Sequence, residues 1–193
     1  MSAPLRAVAS GGVKLAWRRT AQPARRRTDP ALLLPCVLLL AGCASTPAPQ
    51  GVSFVVVRHA EKATDDARDP VLSAAGTARA RALAERLHRE RVVAAYATGY
   101  RRTQLTAAPT AHMAGITVSI YDASVPAAAF AGQLRATYGD GTVLVVGHSN
   151  TVPALAAALC GCAVPAMGDG EYGTVHRIDI GRDGEPRLRT THE

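Results

Sequence analysis

Two hydrophobic patterns alternate along the chain. The first is a short, nearly unbroken apolar run, Val-Ser-Phe-Val-Val-Val at 52–57 and Thr-Val-Leu-Val-Val at 142–146. Such runs suit strands buried on both faces. Weaker runs at 92–97 and 116–121 predict two further strands, and 175–180 predicts an edge strand. The second pattern is a helical stripe. From a Ser73 cap to about Arg89, Ala80, Leu83, Ala84 and Leu87 recur at i, i+3, i+4 and i+7, with Arg79, Arg81, Glu85, Arg86 and Arg89 off the stripe. Gly76, in the first turn, costs up to about 1 kcal/mol relative to Ala, so a packing reason is expected for it. Helices are also predicted at 101–113, from Pro126 to about Tyr138, and at 151–160, with Gly139-Asp140-Gly141 as a turn. The polar residues after 182 predict a loose tail. Strands alternating with helices give an α/β fold, a three-layer αβα sandwich around a mostly parallel sheet.

Charge changes the picture at the amino end. The chain of 193 residues carries a formal net charge of +7, which suggests nucleic acid until the charge is located. Residues 1–43 hold seven Arg and Lys against one Asp, and residues 44–193 hold fifteen against fourteen. The domain is therefore nearly neutral, without a basic stripe, and no nucleic-acid partner is expected. Arg25-Arg26-Arg27 precedes a 12-residue uncharged run, 31–42. That run is too short to span a bilayer, which takes about 20 residues, but it suits a signal peptide. It ends in Leu40-Ala41-Gly42-Cys43, which resembles the lipobox of bacterial lipoproteins. The resemblance implies cleavage before Cys43 and lipidation of its thiol. The expected organisation is a signal peptide over 1–43, a Pro-rich tether over 44–51, a domain over 52–182 and a tail over 183–193. The membrane, through the lipid anchor, is then one partner, and the expected location is the cell envelope.

The chemistry lies beyond the carboxyl ends of three predicted strands, where open α/β sheets bind ligands. The strand at 52–57 runs into Arg58-His59-Ala60-Glu61, the strand at 92–97 into Thr98-Gly99-Tyr100-Arg101-Arg102, and the strand at 142–146 into Gly147-His148-Ser149-Asn150. Guanidinium groups offer forked donors to phosphate oxygens, and imidazole can act as nucleophile or donor. These motifs, together with Leu72-Ser73-Ala-Ala-Gly76, resemble those of the histidine phosphatase superfamily, in its phosphoglycerate mutase-like branch, over about residues 52 to 180. Ala60 stands where that family usually has Gly, Thr98-Gly99 where it has Ser-Pro, and Ser149 where the acid phosphatase branch has Asp.

The resemblance implies a phosphomonoester hydrolase with His59 as nucleophile and Arg58, Arg102 and His148 holding the phosphoryl group. No metal or cofactor is expected. Asp122 is the candidate general acid, and Glu61 is the runner-up and a candidate substrate contact. Arg101 and Arg79 read as solvent-facing charges. Glu171 and Tyr172 are either pocket-mouth or ordinary loop residues. Cys160 and Cys162 read as packing residues or an incidental bond. The expected partner is a phosphorylated small molecule. The competing functions are a phosphohistidine protein phosphatase and a non-catalytic phosphate- or envelope-binding lipoprotein.

Overall fold

The computed structural model describes residues 51–192. The signal peptide, Cys43 and all of the tether but Gly51 lie outside the described residues. The strands are β1 (Gly51–Arg58), β2 (Val92–Ala97), β3 (Val118–Ile120), β4 (Gly141–Gly147), β5 (Thr174–Gly181) and β6 (Pro186–His192). The helices are α1 (Ala74–Leu87), α2 (Arg101–Met113), α3 (Ala127–Thr137) and α4 (Val152–Cys160).

The six strands form one sheet in the order β3-β2-β4-β1-β5-β6. β3, β2, β4 and β1 run parallel, and β5 and β6 add antiparallel to the β1 edge. Period-2 alternation explains the layers. Phe54 and Val56 of β1, with Val143 and Val145 of β4, pack on Phe130 and Leu134 of α3 and Leu155 and Leu159 of α4. Val55, Val57, Leu144 and Val146 point the other way, onto Leu83 and Leu87 of α1 and Ala107 and Ala111 of α2. The outcome is the expected αβα sandwich. Because β4 lies between β1 and β2, the three strands that end in the chemical motifs are neighbours.

Two expectations at the carboxyl end need correction. The segment after 182 is no loose tail, since Pro186–His192 pairs with β5 from Thr174↔His192 to Ile180↔Pro186. The edge strand is therefore β6, and β5 is internal. A turn with Gly184 at φ 76° joins the two, a left-handed conformation that glycine adopts without penalty. Cys160 and Cys162 form a disulfide across Gly161, which caps α4 in the left-handed conformation at φ 64°.

Candidate active site

The site is assembled by backbone contacts between the motif segments. The amide of His59 donates to the carbonyl of Gly147 at 2.9 Å, tying the end of β1 to the end of β4. The amide of Ala60 donates to Oγ1 of Thr106 in α2 at 3.0 Å, and Thr106 donates onward to the carbonyl of Arg102 at 2.8 Å. From below, the start of α1 supports the Arg-His-Ala-Glu turn. Ser73 caps the helix by accepting from the Gly76 amide, and its own amide donates to the Glu61 carbonyl at 2.9 Å. A Cβ at Gly76 would lie 2.1 Å from that carbonyl oxygen. This is the packing reason expected for Gly76.

Arg58, His59, Lys62, Tyr100, Arg102, His148, Ser149 and Asn150 line a cavity of about 420 Å³. His59 is only 5% exposed. Its Nδ1 lies 2.8 Å from the carbonyl oxygen of Ala60. A carbonyl can only accept, so Nδ1 carries the proton, and in the neutral ring Nε2 keeps its lone pair. Burial, with the charges of Arg58, Arg102 and Lys62 adding to it, lowers the His59 pKa to about 4 against the hydrogen bond to Ala60. His148 is also lowered to about 4, first by burial and then by His59, Arg102 and Arg58. Both rings are neutral at pH 7, with centroids 5.4 Å apart. Nε2 of His148 meets Oγ1 of Thr98 at 2.9 Å, and Thr98 meets Oγ1 of Thr103 at 2.9 Å.

Each arginine lies over an aromatic ring. The Arg58 guanidinium is 4.3 Å from the centroid of Tyr172, and that of Arg102 is 4.2 Å from the centroid of Tyr100. Such stacking is favourable and fixes the fork. Arg58 Nη1 also donates to the carbonyls of Gly168 and Glu171 at 3.0 and 3.1 Å. Arg102 Nη1 lies 3.8 Å from Asp69.

The structure thus brings together Arg58, His59, Arg102 and His148, as expected from the sequence. It does not bring in the two carboxylates. Asp122 is exposed, outside the residues lining the cavity, and its Oδ1 accepts from the Ser124 amide at 2.8 Å. That bond holds its carboxyl below the ordinary range, which is the wrong direction for a general acid. Glu61 is engaged by Arg79, Nη2 to Oε1 at 2.7 Å and Nε to both oxygens at 3.1 Å. The hydrogen bonds from Arg79 lower the Glu61 pKa, and Glu61 also lies outside the lining. Arg79 is accordingly a partner for the motif rather than a solvent-facing charge. Arg101 is exposed, as expected, and its backbone amide donates to Asp69 Oδ1 at 2.8 Å. Of the Glu171–Tyr172 pair, Tyr172 holds Arg58, with its ring 6.0 Å from that of His59.

Sequence reasoning passed over Thr98, Thr103, Thr106 and Tyr100. One signal was available. Thr103, Thr106 and Thr110 share the buried stripe of α2 with Ala107 and Ala111, and hydroxyls on a buried stripe need partners. Among the described residues, no three His, Cys, Asp or Glu side chains converge as metal ligands do.

Residues 54–125 match the model of the histidine phosphatase superfamily, branch 1. That match spans the first half of the domain, from β1 to the loop after β3. Solved structures share its fold. The protein histidine phosphatase SixA, solved with tungstate, is 17% identical, with a TM-score of 0.57 over 72% of this chain and 96% of its own. A mycobacterial glucosyl-3-phosphoglycerate phosphatase is 20% identical, with a TM-score of 0.55 over 73% and 98%. A phosphoserine phosphatase from Entamoeba histolytica is 12% identical, with a TM-score of 0.55 over 74% and 97%. No curated protein matches the chain. These solved structures are similar to this domain in fold, and their names span different substrates.

Proposed function

We propose that this protein hydrolyses phosphomonoesters through a phosphohistidine on His59. The observation that carries the reading is the hydrogen bond from His59 Nδ1 to the Ala60 carbonyl. It commits the lone pair to Nε2 in a ring whose pKa of about 4 keeps it unprotonated at neutral pH. Nε2 attacks phosphorus and the bond to the leaving oxygen breaks. Water then attacks the phosphohistidine, releasing inorganic phosphate and restoring the imidazole. Splitting one displacement into two is the advantage of a covalent intermediate. Arg58, Arg102 and His148 surround the transferring group with donors, and such fixed charge is usually the largest catalytic contribution. A phosphoryl dianion opposes the positive field that depresses His148, so a bound substrate favours its protonated, donating form.

A second reading, hydrolysis of protein phosphohistidine, is favoured by one observation. Among the described residues no carboxylate lines the cavity, and an imidazole departs more readily than an alkoxide, which needs a general acid. For location, the proposal is a lipid anchor at Cys43 facing the cell envelope, supported by the Leu-Ala-Gly-Cys sequence behind its basic and apolar leader. A C43S variant that no longer incorporates labelled fatty acid would support the anchor. Equal labelling would refute it.

The test of chemistry is a rapid-quench reaction with labelled phenyl phosphate. The expected result is an acid-labile, base-stable phosphoenzyme that is absent in His59→Ala, with turnover lost. A folded protein that binds phosphate but hydrolyses neither phenyl phosphate nor a phosphohistidine peptide would favour the non-catalytic binder instead.

A further inference from the structure

The phosphoryl cavity does not end at its arginines. Ala123, Asn150 and Thr151 line both it and a second cavity of about 330 Å³. This second space lies between the loop after β3, the start of α3 and the first turns of α4. Its other walls are mainly Tyr121, Val125, Pro126, Phe130, Ala154 and Leu155. Among the described residues no Asp, Glu, Lys, Arg or His lines it. The Tyr121 ring stacks on Phe130 with centroids 4.5 Å apart and planes within 10°. Burial raises the Tyr121 pKa, so that phenol stays neutral. A cationic cavity therefore adjoins one whose walls include a stacked aromatic pair and, among the described residues, no charged side chain.

We propose that the second cavity holds the leaving group of the substrate, and that this group is an uncharged aryl alcohol, making the protein an aryl phosphatase. The inference rests on the hydrolase reading of His59. Two independent features point the same way. Apolar walls reward a leaving group that is itself apolar, because its area is removed from water. The phosphoryl cavity has no carboxylate to protonate a departing oxygen, with Asp122 tied to Ser124 and Glu61 to Arg79. An aryl oxide needs less help, since phenols have a pKa near 10, like tyrosine. In the first step Nε2 of His59 forms the N–P bond, and the P–O bond breaks with its electron pair going to the aryl oxygen. In the second step water supplies the oxygen that forms phosphate and the proton that the aryl oxide takes up. The net change is aryl phosphate plus water to aryl alcohol plus inorganic phosphate.

The test compares substrates whose leaving groups have similar acidity but different area. Phenyl phosphate and 2-naphthyl phosphate form such a pair, and glycerol 2-phosphate and N-phosphoimidazole give the polar and nitrogen-leaving alternatives. The purified full chain is expected to show kcat/KM at least tenfold higher for 2-naphthyl than for phenyl phosphate, the scale of discrimination an apolar pocket supplies. Glycerol 2-phosphate should be the poorest. Ala154→Glu and, separately, Val125→Asp introduce a charge into the second cavity and should bring the naphthyl-to-phenyl ratio close to one. Circular dichroism identifies which variants fold, and the wild-type ratio stands without either. If hydrolysis is His59-dependent but the ratio is near one, or glycerol 2-phosphate or N-phosphoimidazole is preferred, the aryl inference is overturned and the hydrolase reading survives. If no compound is turned over, both fall together.

Discussion

At the scale of single residues, His59, the proposed nucleophile, is held by a short chain of hydrogen bonds. His59 Nδ1 donates to the Ala60 carbonyl, the Ala60 amide donates to Thr106, and Thr106 donates to the Arg102 carbonyl. Thr106→Val leaves the buried Ala60 amide without an acceptor, at a cost of about 1–3 kcal/mol. The expected outcome is a lower melting temperature and a fall in kcat larger than any rise in KM, with Thr106→Ser close to wild type. A Val variant with unchanged kcat would show that Thr106 does not position the ring. Arg102 makes a sharper case. Lys at this position keeps the charge but loses the fork and its stacking on Tyr100, so Arg102→Lys should lower kcat/KM for phenyl phosphate about 10²-fold. The convergence of Arg58, His59, Arg102 and His148 on one cavity was legible in the sequence because residue type and strand-end position suffice to bring them together. Asp122 was not, because the direction of a loop carboxylate depends on its nearest amide. Here that amide is Ser124, two residues on, the usual turn partner of Asp.

At the scale of elements, α1 is a support for the catalytic turn as much as a cover for the sheet. Gly76 lets the first turn of α1 approach the backbone of Glu61, two residues beyond the nucleophile. In Gly76→Ala the new Cβ would lie 2.1 Å from the Glu61 oxygen and 2.9 Å from its nitrogen. Backbone has to move, at about 1–3 kcal/mol for an overpacked site, and kcat should fall with it. Gly132 is the control. It sits inside α3 with nothing within 4 Å of an added Cβ. Gly132→Ala should therefore stabilise by up to about 1 kcal/mol. Denaturant midpoints on the two variants check both signs, and a neutral Gly76→Ala would remove the argument for α1 as a support. The helices were legible to within a residue or two, since their stripes are long and periodic. β6 was not. Its Leu188 is only partly buried and most of its other side chains are exposed, so no hydrophobic alternation marks it. Pairing with β5 creates the strand, a non-local cause that a local pattern cannot display.

At the scale of the whole molecule, the burial that prepares the site makes the fold sensitive to acid. His59 and His148 have folded pKa values near 4 against an ordinary value of 6.5. Between those values the unfolded chain binds more protons than the folded one, so stability rises with pH across the window. Their contribution is complete above about pH 6.5 and is lost as pH falls towards 4. Carboxylates held low by hydrogen bonds, Glu61 by Arg79 and Asp179 by Ser53, Arg189 and Arg177 against its burial, act in the same direction but only near and below their own ordinary values of about 4. The region from pH 6.5 to 5 therefore reports the buried histidines, and His176, which burial also lowers, contributes equally to the wild type and to a variant lacking the other two. The melting temperature of the wild type should drop across it, and that of His59→Asn/His148→Asn should drop much less. Parallel curves would mean that neither ring is held neutral by burial, which would also remove the reason for an unprotonated nucleophile. Inorganic phosphate should reverse part of the loss, because a bound dianion offsets the field of Arg58 and Arg102 and accepts from a protonated His148. The same desolvation thus destabilises the fold in acid and leaves a free lone pair on Nε2 at neutral pH.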